Sequence, residues 1–376
     1  MTVRSEKINN EPCLVRIHYI DGPYSIRSAY TLVSATYSPW PTLDVLRQHL
    51  DIQAINNGQK YTIGSSGIFI DDLEGLHALV DNQGHIMLRS GVELPMAVYR
   101  GQPCEHIPCL PALARLDHIE DQFLALCRCA AFEEAISEHP YVRICEQTRF
   151  LDCQLFVDKE GLAQHYGLST DLLDVTSNFE VATFFATSRW NNKTRSYRPV
   201  KSSSEPGVLY RIRPFFLIGP EAKVEFRDIG WQPLHRPEQQ RASAIIMKKG
   251  LDFGSLDLVE KVRFTHSARV STRIWKSFDC GHALFPQDAA AELADQAHAL
   301  MAFTRHQADL AWNRFDRWHG TISTDENRQK IESCLGIDIV SSPFLSWDTF
   351  DIERDEIRLR DNLRSILEKV RFRMAA

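Results

Sequence analysis

Between Ala163 and Ala186 the chain leaves itself few ways to fold. A helical stretch from Asp158 to Tyr166 meets Gly167, which enters the left-handed region without steric cost and so stops the helix. Leu172-Leu173-Asp174-Val175-Thr176 follows as an apolar run of strand length. Ser177-Asn178-Phe179-Glu180 then fits a capping box, with Ser177 as N-cap and Glu180 at the third helical position. Behind it Val181, Phe184 and Phe185 share one face and are expected to pack on a sheet. Helix, strand and helix joined by such short links place the polar side chains of the segment at the ends of elements.

The flanks supply what such a unit needs. Met96-Ala97-Val98-Tyr99 reads as a strand ending in Arg100-Gly101, and residues 118–138 carry a helical repeat through Ile119, Phe123, Leu126, Ala130 and Phe132. Trp190 to Pro206, rich in Asn, Arg, Lys and Ser, reads as an exposed loop. Gly207–Pro214 and Arg241–Lys248 read as further strands. Upstream, residues 14–20 look strand-like before an Asp21-Gly22-Pro23 turn, and Thr42 is a plausible N-cap for a short helix through Leu50. Downstream, Ala289 to Phe315 reads as one long amphipathic helix and Asp351 to Arg373 as another. The pattern is an α+β fold in three parts: a small N-terminal α+β region (1–92), a central domain (93–300) and a C-terminal helical region (301–376).

A net charge of −6 argues against a chain whose main business is electrostatic binding of nucleic acid. The nine cysteines show no CxxC pair and no metal-like spacing, which favours reduced, buried thiols over a zinc site. No apolar run is long enough for a signal peptide or a membrane span, so a cytoplasmic protein is expected.

Several separated pieces, in order, resemble the FRG domain of bacterial proteins over about 95–300. They are Tyr99-Arg100-Gly101-Gln102, then Ala163-Gln164-His165-Tyr166-Gly167, then Leu172-Leu173-Asp174-Val175-Thr176, then Ala182-Thr183-Phe184-Phe185-Ala186, with Leu284-Phe285-Pro286 as the closing element. Three positions depart from the family pattern. Ser169-Thr170-Asp171 stands where Pro-Thr-Arg is usual, Val175 where an aromatic is common, and Ile245 where the family's later strand has Gln.

The order of elements is in turn similar to the NAD-binding half of ADP-ribosyltransferases. That similarity implies a mixed-sheet core, NAD as substrate with no metal, and transfer of ADP-ribose to a protein, RNA or DNA acceptor. The family implies membership of a toxin or phage-defence system, with an antitoxin or regulatory partner and no membrane association. By position, Tyr99-Arg100-Gly101 and Gln164 would hold the dinucleotide, with Arg100 as its clamp, and Thr176 or Ser177 would bond the ribose. His165 and Asp174 would line the pocket as catalytic groups. Glu238 is the candidate catalytic glutamate, with Glu225 second. A carboxylate beside the ribose stabilises the positive charge that develops as nicotinamide leaves, and planar guanidinium donors suit a pyrophosphate.

Plainer roles stand beside these. Arg100 and Asp174 would serve equally as a buried ion pair, Ser177 as a helix cap, His165 as a cap for helix-end carbonyls and Gln164 as a buried amide. Two other classes also remain open. One is a non-catalytic ligand-sensing or interaction module. The other is a nucleic-acid-acting protein using the basic and aromatic residues of Arg189–Arg198.

Overall fold

The computed structural model describes residues 4–5, 13–17, 30–35, 52–56, 59–61, 76–80, 85–90, 97–150, 152–214, 224–286, 288–350 and 355–371. The Asp21-Gly22-Pro23 turn and the helix from Thr42 lie outside the described residues, as do Pro95 and residues 351–354.

The fold is α+β, as the sequence pattern indicates. An eight-stranded sheet carries the central part: β1 (Ile52–Asn56), β2 (Gln59–Tyr61), β3 (Val98–Gln102), β4 (Leu172–Thr176), β5 (Gly207–Ile212), β6 (Glu225–Asp228), β7 (Ala242–Ile246) and β8 (Glu260–Phe264). Their order is β6-β7-β4-β3-β5-β8-β1-β2, and every junction is antiparallel. Mixed pairing belongs to a second, five-stranded sheet in the order Val370–Arg371, Leu76–Val80, His85–Ser90, Cys153–Leu155, Arg149–Phe150. The junction at the centre of the large sheet is unusual. β4 and β7 pair over five residues, and so do β3 and β5, yet β3 and β4 share only the pair Thr176↔Tyr99.

Ten α-helices surround the sheets among the described residues: α1 (Ile119–Ser137), α2 (Pro140–Gln147), α3 (Lys159–His165), α4 (Phe179–Thr187), α5 (His235–Gln239), α6 (Ala268–Ser277), α7 (Ala289–His298), α8 (Arg305–His319), α9 (Asp325–Leu335) and α10 (Glu356–Leu367). α1 is buried nearly all round, as expected of a helix at the middle of a core. Phe123, Leu126, Ala130 and Phe132 are buried as their spacing predicts, whereas Ile119, in its first turn, is exposed. Phe123 stacks on Trp312 of α8 with ring centroids 3.9 Å apart. One face of the large sheet, with Val98, Leu173, Val175, Val208, Tyr210 and Ile245, belongs to this same core. The other face, with Tyr99, Leu209, Val262 and Phe264, takes Phe179, Ala182 and Ala186 of α4 and Val270 of α6.

Several sequence expectations need correction. α4 begins at Phe179, and its N-cap is Asn178, whose side chain accepts from the Glu180 and Val181 amides. Asn is as good an N-cap as Ser, and here it occupies the extended position just before the first helical residue. The sheet-facing stripe of α4 is Phe179, Ala182 and Ala186, while Val181 and Phe184 turn away to pack with Leu284. Trp190–Pro206 is not wholly loop: Ser188–Asn191 and Ser196–Pro199 form a hairpin. Aromatic contacts hold it, Trp190 on Tyr197 and Tyr197 stacked on Phe285, and Trp275 Nε1 donates to the Tyr197 carbonyl at 3.0 Å. The long helix expected over Ala289–Phe315 is two helices. Strand Ala302–Thr304 interrupts it, and Thr304 with Gln307 forms a capping box that starts α8. Of the helix expected over Asp351–Arg373, the described residues form α10 over Glu356–Leu367 and then strand Val370–Arg371, while 351–354 and 372–373 lie outside the described residues.

Cys109, Cys127, Cys129 and Cys145 are buried and unpaired, and burial pushes the thiols of Cys127, Cys129 and Cys145 upward, which leaves them unreactive. No described helix is long and apolar enough to cross a membrane.

Candidate functional site

Where β3 and β4 part after their single pair, a cleft of about 260 Å³ opens. Arg100 of β3 reaches across the gap, and its Nη1 donates to the Asp174 carbonyl of β4 at 2.7 Å. This contact replaces a ladder bond with a side-chain bond, and leaves the Asp174 carboxylate to other partners. Gln164 Nε2 donates to Asp174 Oδ2 at 3.0 Å, and Thr170 Oγ1 donates to Gln164 Oε1. His165 sits beside them, with Nε2 3.9 Å from Asp174 Oδ1 and Nδ1 3.0 Å from Gln240 Oε1. Helix α3 ends at His165 and Gly167 takes a positive φ of 94°, so both Gln164 and His165 face β4 as the chain turns. N-cap Asp158 fixes the other end of that helix by accepting from the Gly161 amide at 2.8 Å.

Arg115 stands at the rim, with Nε and Nη2 both bonded to the Leu110 carbonyl. Burial and the nearby Arg100 charge both lower its pKa, as expected of two cations facing one opening. The opposite wall is aromatic: Phe185, Tyr197 and Phe285. Tyr197 and Phe285 stack with centroids 4.8 Å apart, and Phe185 meets both edge-on. Burial, reinforced by the Asp174 charge, pushes the Tyr197 phenol up to about 12, so it stays protonated and able to donate.

The structure therefore brings together Arg100, Gln164, His165 and Asp174 from the expected set, and adds Arg115, Gln240 and the aromatic wall. It separates the others. Tyr99 is buried on the far face of the sheet, edge-on to Phe179 at 5.2 Å. Gly101 has no room for a ligand beside it, because a Cβ there would stand 1.8 Å from the Ala182 carbonyl oxygen. Thr176 is a brace: its Oγ1 donates to the Gln240 carbonyl at 2.7 Å and accepts from the Asn178 amide at 3.0 Å. Ser177 and Glu238 line a different and much smaller crevice with Arg89, Asp228 and Arg241, too small for more than a water-sized group. Glu225 starts an edge strand opposite Ile246, and it does not line the cleft either.

Residues 95–195 match the FRG domain family. This chain carries an FRG domain. No curated protein and no solved structure matches the chain. The matched segment holds Arg100, Arg115, Gln164, His165, Asp174 and Phe185, so most of the cleft belongs to the FRG domain, while Tyr197, Gln240 and Phe285 reach it from beyond residue 195. The departures from the family pattern also find places. Asp171 is buried and points to Arg317 of α8, 3.7 Å away, rather than into the cleft. Ile245 is buried in the core shared with α1 and takes no part in the cleft.

Proposed function

We propose that the FRG cleft binds NAD and that the protein is an ADP-ribosyltransferase, acting on a macromolecule as the effector of a toxin or defence system. The observation that carries this reading is the composition of one opening: two guanidinium groups, one carboxylate and an aromatic wall around the gap between β3 and β4. Guanidinium pairs suit a pyrophosphate, which they bond in a planar, two-pronged way. Flat aromatic faces suit a nucleobase or the nicotinamide ring. A volume of about 260 Å³ falls just below the usual range for small-molecule sites, enough for one half of a dinucleotide with the rest along the rim.

Asp174 takes the role first given to Glu238. The bond from ribose to nicotinamide breaks with its electron pair leaving on nicotinamide, so positive charge grows on the ribose ring. A carboxylate fixed by Gln164 at that point stabilises the charge without having to reorganise. Phe185, Tyr197 and Phe285 limit the access of water to the ring, which favours transfer over hydrolysis.

The test is release of nicotinamide from NAD by the purified chain, with cell lysate as the source of acceptor. Asp174→Asn should bind NAD and lose about 10²–10³-fold in turnover, the scale of removing one electrostatic stabiliser from an active site. Arg100→Ala should lose NAD binding. A wild-type protein that neither binds NAD nor releases nicotinamide refutes the proposal.

A further inference from the structure

Two side-chain amides in the cleft have their orientations fixed by what lies behind them. Gln240 donates from Nε2 to the Leu284 carbonyl at 2.9 Å. A carbonyl only accepts, so the amide nitrogen must face it, and the amide oxygen then faces His165 Nδ1 at 3.0 Å. That oxygen in turn only accepts, so Nδ1 carries a proton, and in the neutral form of the ring Nε2 keeps a bare lone pair. Gln164 follows the same logic. Thr170 Oγ1 accepts from the Leu172 amide at 3.1 Å and turns its own proton to Gln164 Oε1, which leaves Gln164 Nε2 to donate to Asp174 Oδ2.

The result is two acceptors face to face. His165 Nε2 and Asp174 Oδ1 stand 3.9 Å apart, and neither has a hydrogen-bond partner among the described residues. Lone pairs left without donors inside a protein are costly, and the fold holds both in place with its own amides rather than satisfying them. Both atoms are screened from solvent in this arrangement. The Asp174 side chain as a whole is 42% exposed, which puts the pair at the edge of the cleft rather than deep in the core.

We infer that His165 Nε2 and Asp174 Oδ1 form a two-acceptor seat for the vicinal hydroxyls of a ribose, with Gln164 and Gln240 as positioning residues. The assignment rests on the nucleotide reading of the cleft. A ribose diol brings two donors on neighbouring carbons, one for each acceptor, and a deoxyribose brings one too few. The seat shares its opening with the Arg100 and Arg115 guanidinium groups and the aromatic wall, the groups that suit a nucleotide's phosphates and base.

The first measurement needs neither a variant nor a ligand. Nitrogen NMR of histidine-labelled wild-type protein, with the His165 signals identified by their loss in His165→Gln, should give a protonated Nδ1 and a bare Nε2. A neutral ring protonated on Nε2, or an imidazolium at neutral pH, would overturn the seat whether or not NAD binds. The second measurement compares NAD with its two analogues lacking a ribose 2′-hydroxyl, on the adenosine or on the nicotinamide side. One of them should bind about 10- to 100-fold more weakly than NAD, the loss expected for a hydrogen bond to a charged or buried acceptor. Equal binding of all three overturns the seat and leaves the NAD reading intact, whereas no binding of NAD refutes that reading and leaves the seat to the NMR result. Gln240→Met, which removes the amide that fixes the tautomer, should move the His165 proton to Nε2 and narrow the difference between NAD and the affected analogue. An unchanged tautomer in that variant overturns the positioning role of Gln240.

Discussion

Gly101 stands next to the residue expected to clamp the ligand, and two explanations of it lead to different outcomes for one substitution. A Cβ on residue 101 would lie 1.8 Å from the Ala182 carbonyl oxygen, 2.6 Å from the Ala186 nitrogen and 2.9 Å from the Ala182 carbonyl carbon. All three are backbone atoms of α4, so no side chain can swing aside. Restoring ordinary contact needs a withdrawal of α4 from β3 by about 1.5 Å, well beyond the give of a close-packed interior. α4 is also held from behind, where Phe184 packs on Phe278 at 5.3 Å and on Tyr197 at 5.5 Å. Overpacking of this kind costs roughly 3 kcal/mol or more, the upper end for an added methyl group in a tight core. For a chain of this size that corresponds to a fall in melting temperature of about 4 °C or more. Gly101→Ala should therefore melt early in a thermal denaturation followed by circular dichroism. Gly167→Ala is the control. Its φ of 94° strains any side chain, but nothing lies within 4 Å, so its cost should stay near about 1–2 kcal/mol. A Gly101→Ala protein with unchanged melting temperature and lost NAD binding would refute the packing argument and return Gly101 to the ligand.

Two further outcomes concern the charges that tie α8 to the FRG core. Arg314 meets Glu133 through two parallel bonds, Nη1 to Oε1 and Nη2 to Oε2, with both groups largely buried, so Arg314→Met should cost about 3–5 kcal/mol in urea unfolding, and adding Glu133→Gln should recover part of it; a loss under about 1 kcal/mol would show that Glu133 simply takes up a proton. Burial raises the Asp171 carboxyl above its ordinary range, and the neighbouring Glu160 charge adds to the rise. A carboxyl that holds its proton more tightly in the folded state stabilises the fold at low pH and loses that contribution as pH climbs from the ordinary carboxylate value through the folded one. Asp171→Asn should therefore gain on wild type as pH rises toward neutrality, measured by urea midpoints across pH; a deficit that grows with pH would mean that the Arg317 contact outweighs the burial of Asp171.

What the sequence made legible was governed by distance along the chain. β4, α3 and the FRG motifs are local patterns; Gln164 and His165 end α3, whereas Arg100 and Asp174 sit at the middles of β3 and β4 and meet in one cleft because those two strands part after a single pair. Gln240, Tyr197 and Phe285 carry no local signal of a site. Gln240 follows a five-residue helix, Tyr197 lies in a polar hairpin whose stacking partner Phe285 is far away in sequence, and Phe285 enters the sequence pattern only through the closing Leu284-Phe285-Pro286 element. Glu238 stands just ahead of β7 in the sequence, but the turn through Arg241, with φ of 48°, carries it to the small crevice beside Ser177. The sheet-facing side of α4 runs against hydrophobicity, which ranks Phe184 above Ala182, because close approach to Gly101 demands the smaller residue. Tyr99 is the mirror case. Alternation along β3 sends it to the opposite face from Arg100, a period-two consequence that a motif read as one unit conceals.

The parallel pairing of Val370 with Leu76 and Arg371 with His77 has a consequence in time. These partners are separated by nearly the whole described chain, and contacts of that span form late because the intervening loop must first be closed. During synthesis the strand Leu76–Val80 emerges early with one edge unclaimed, and that edge stays open while the whole FRG domain is made behind it. An open strand edge is a template for pairing with other chains. The short strand at 370–371 thus acts as a late clasp, and its arrival separates a nascent chain prone to self-association from one whose sheet has been sealed.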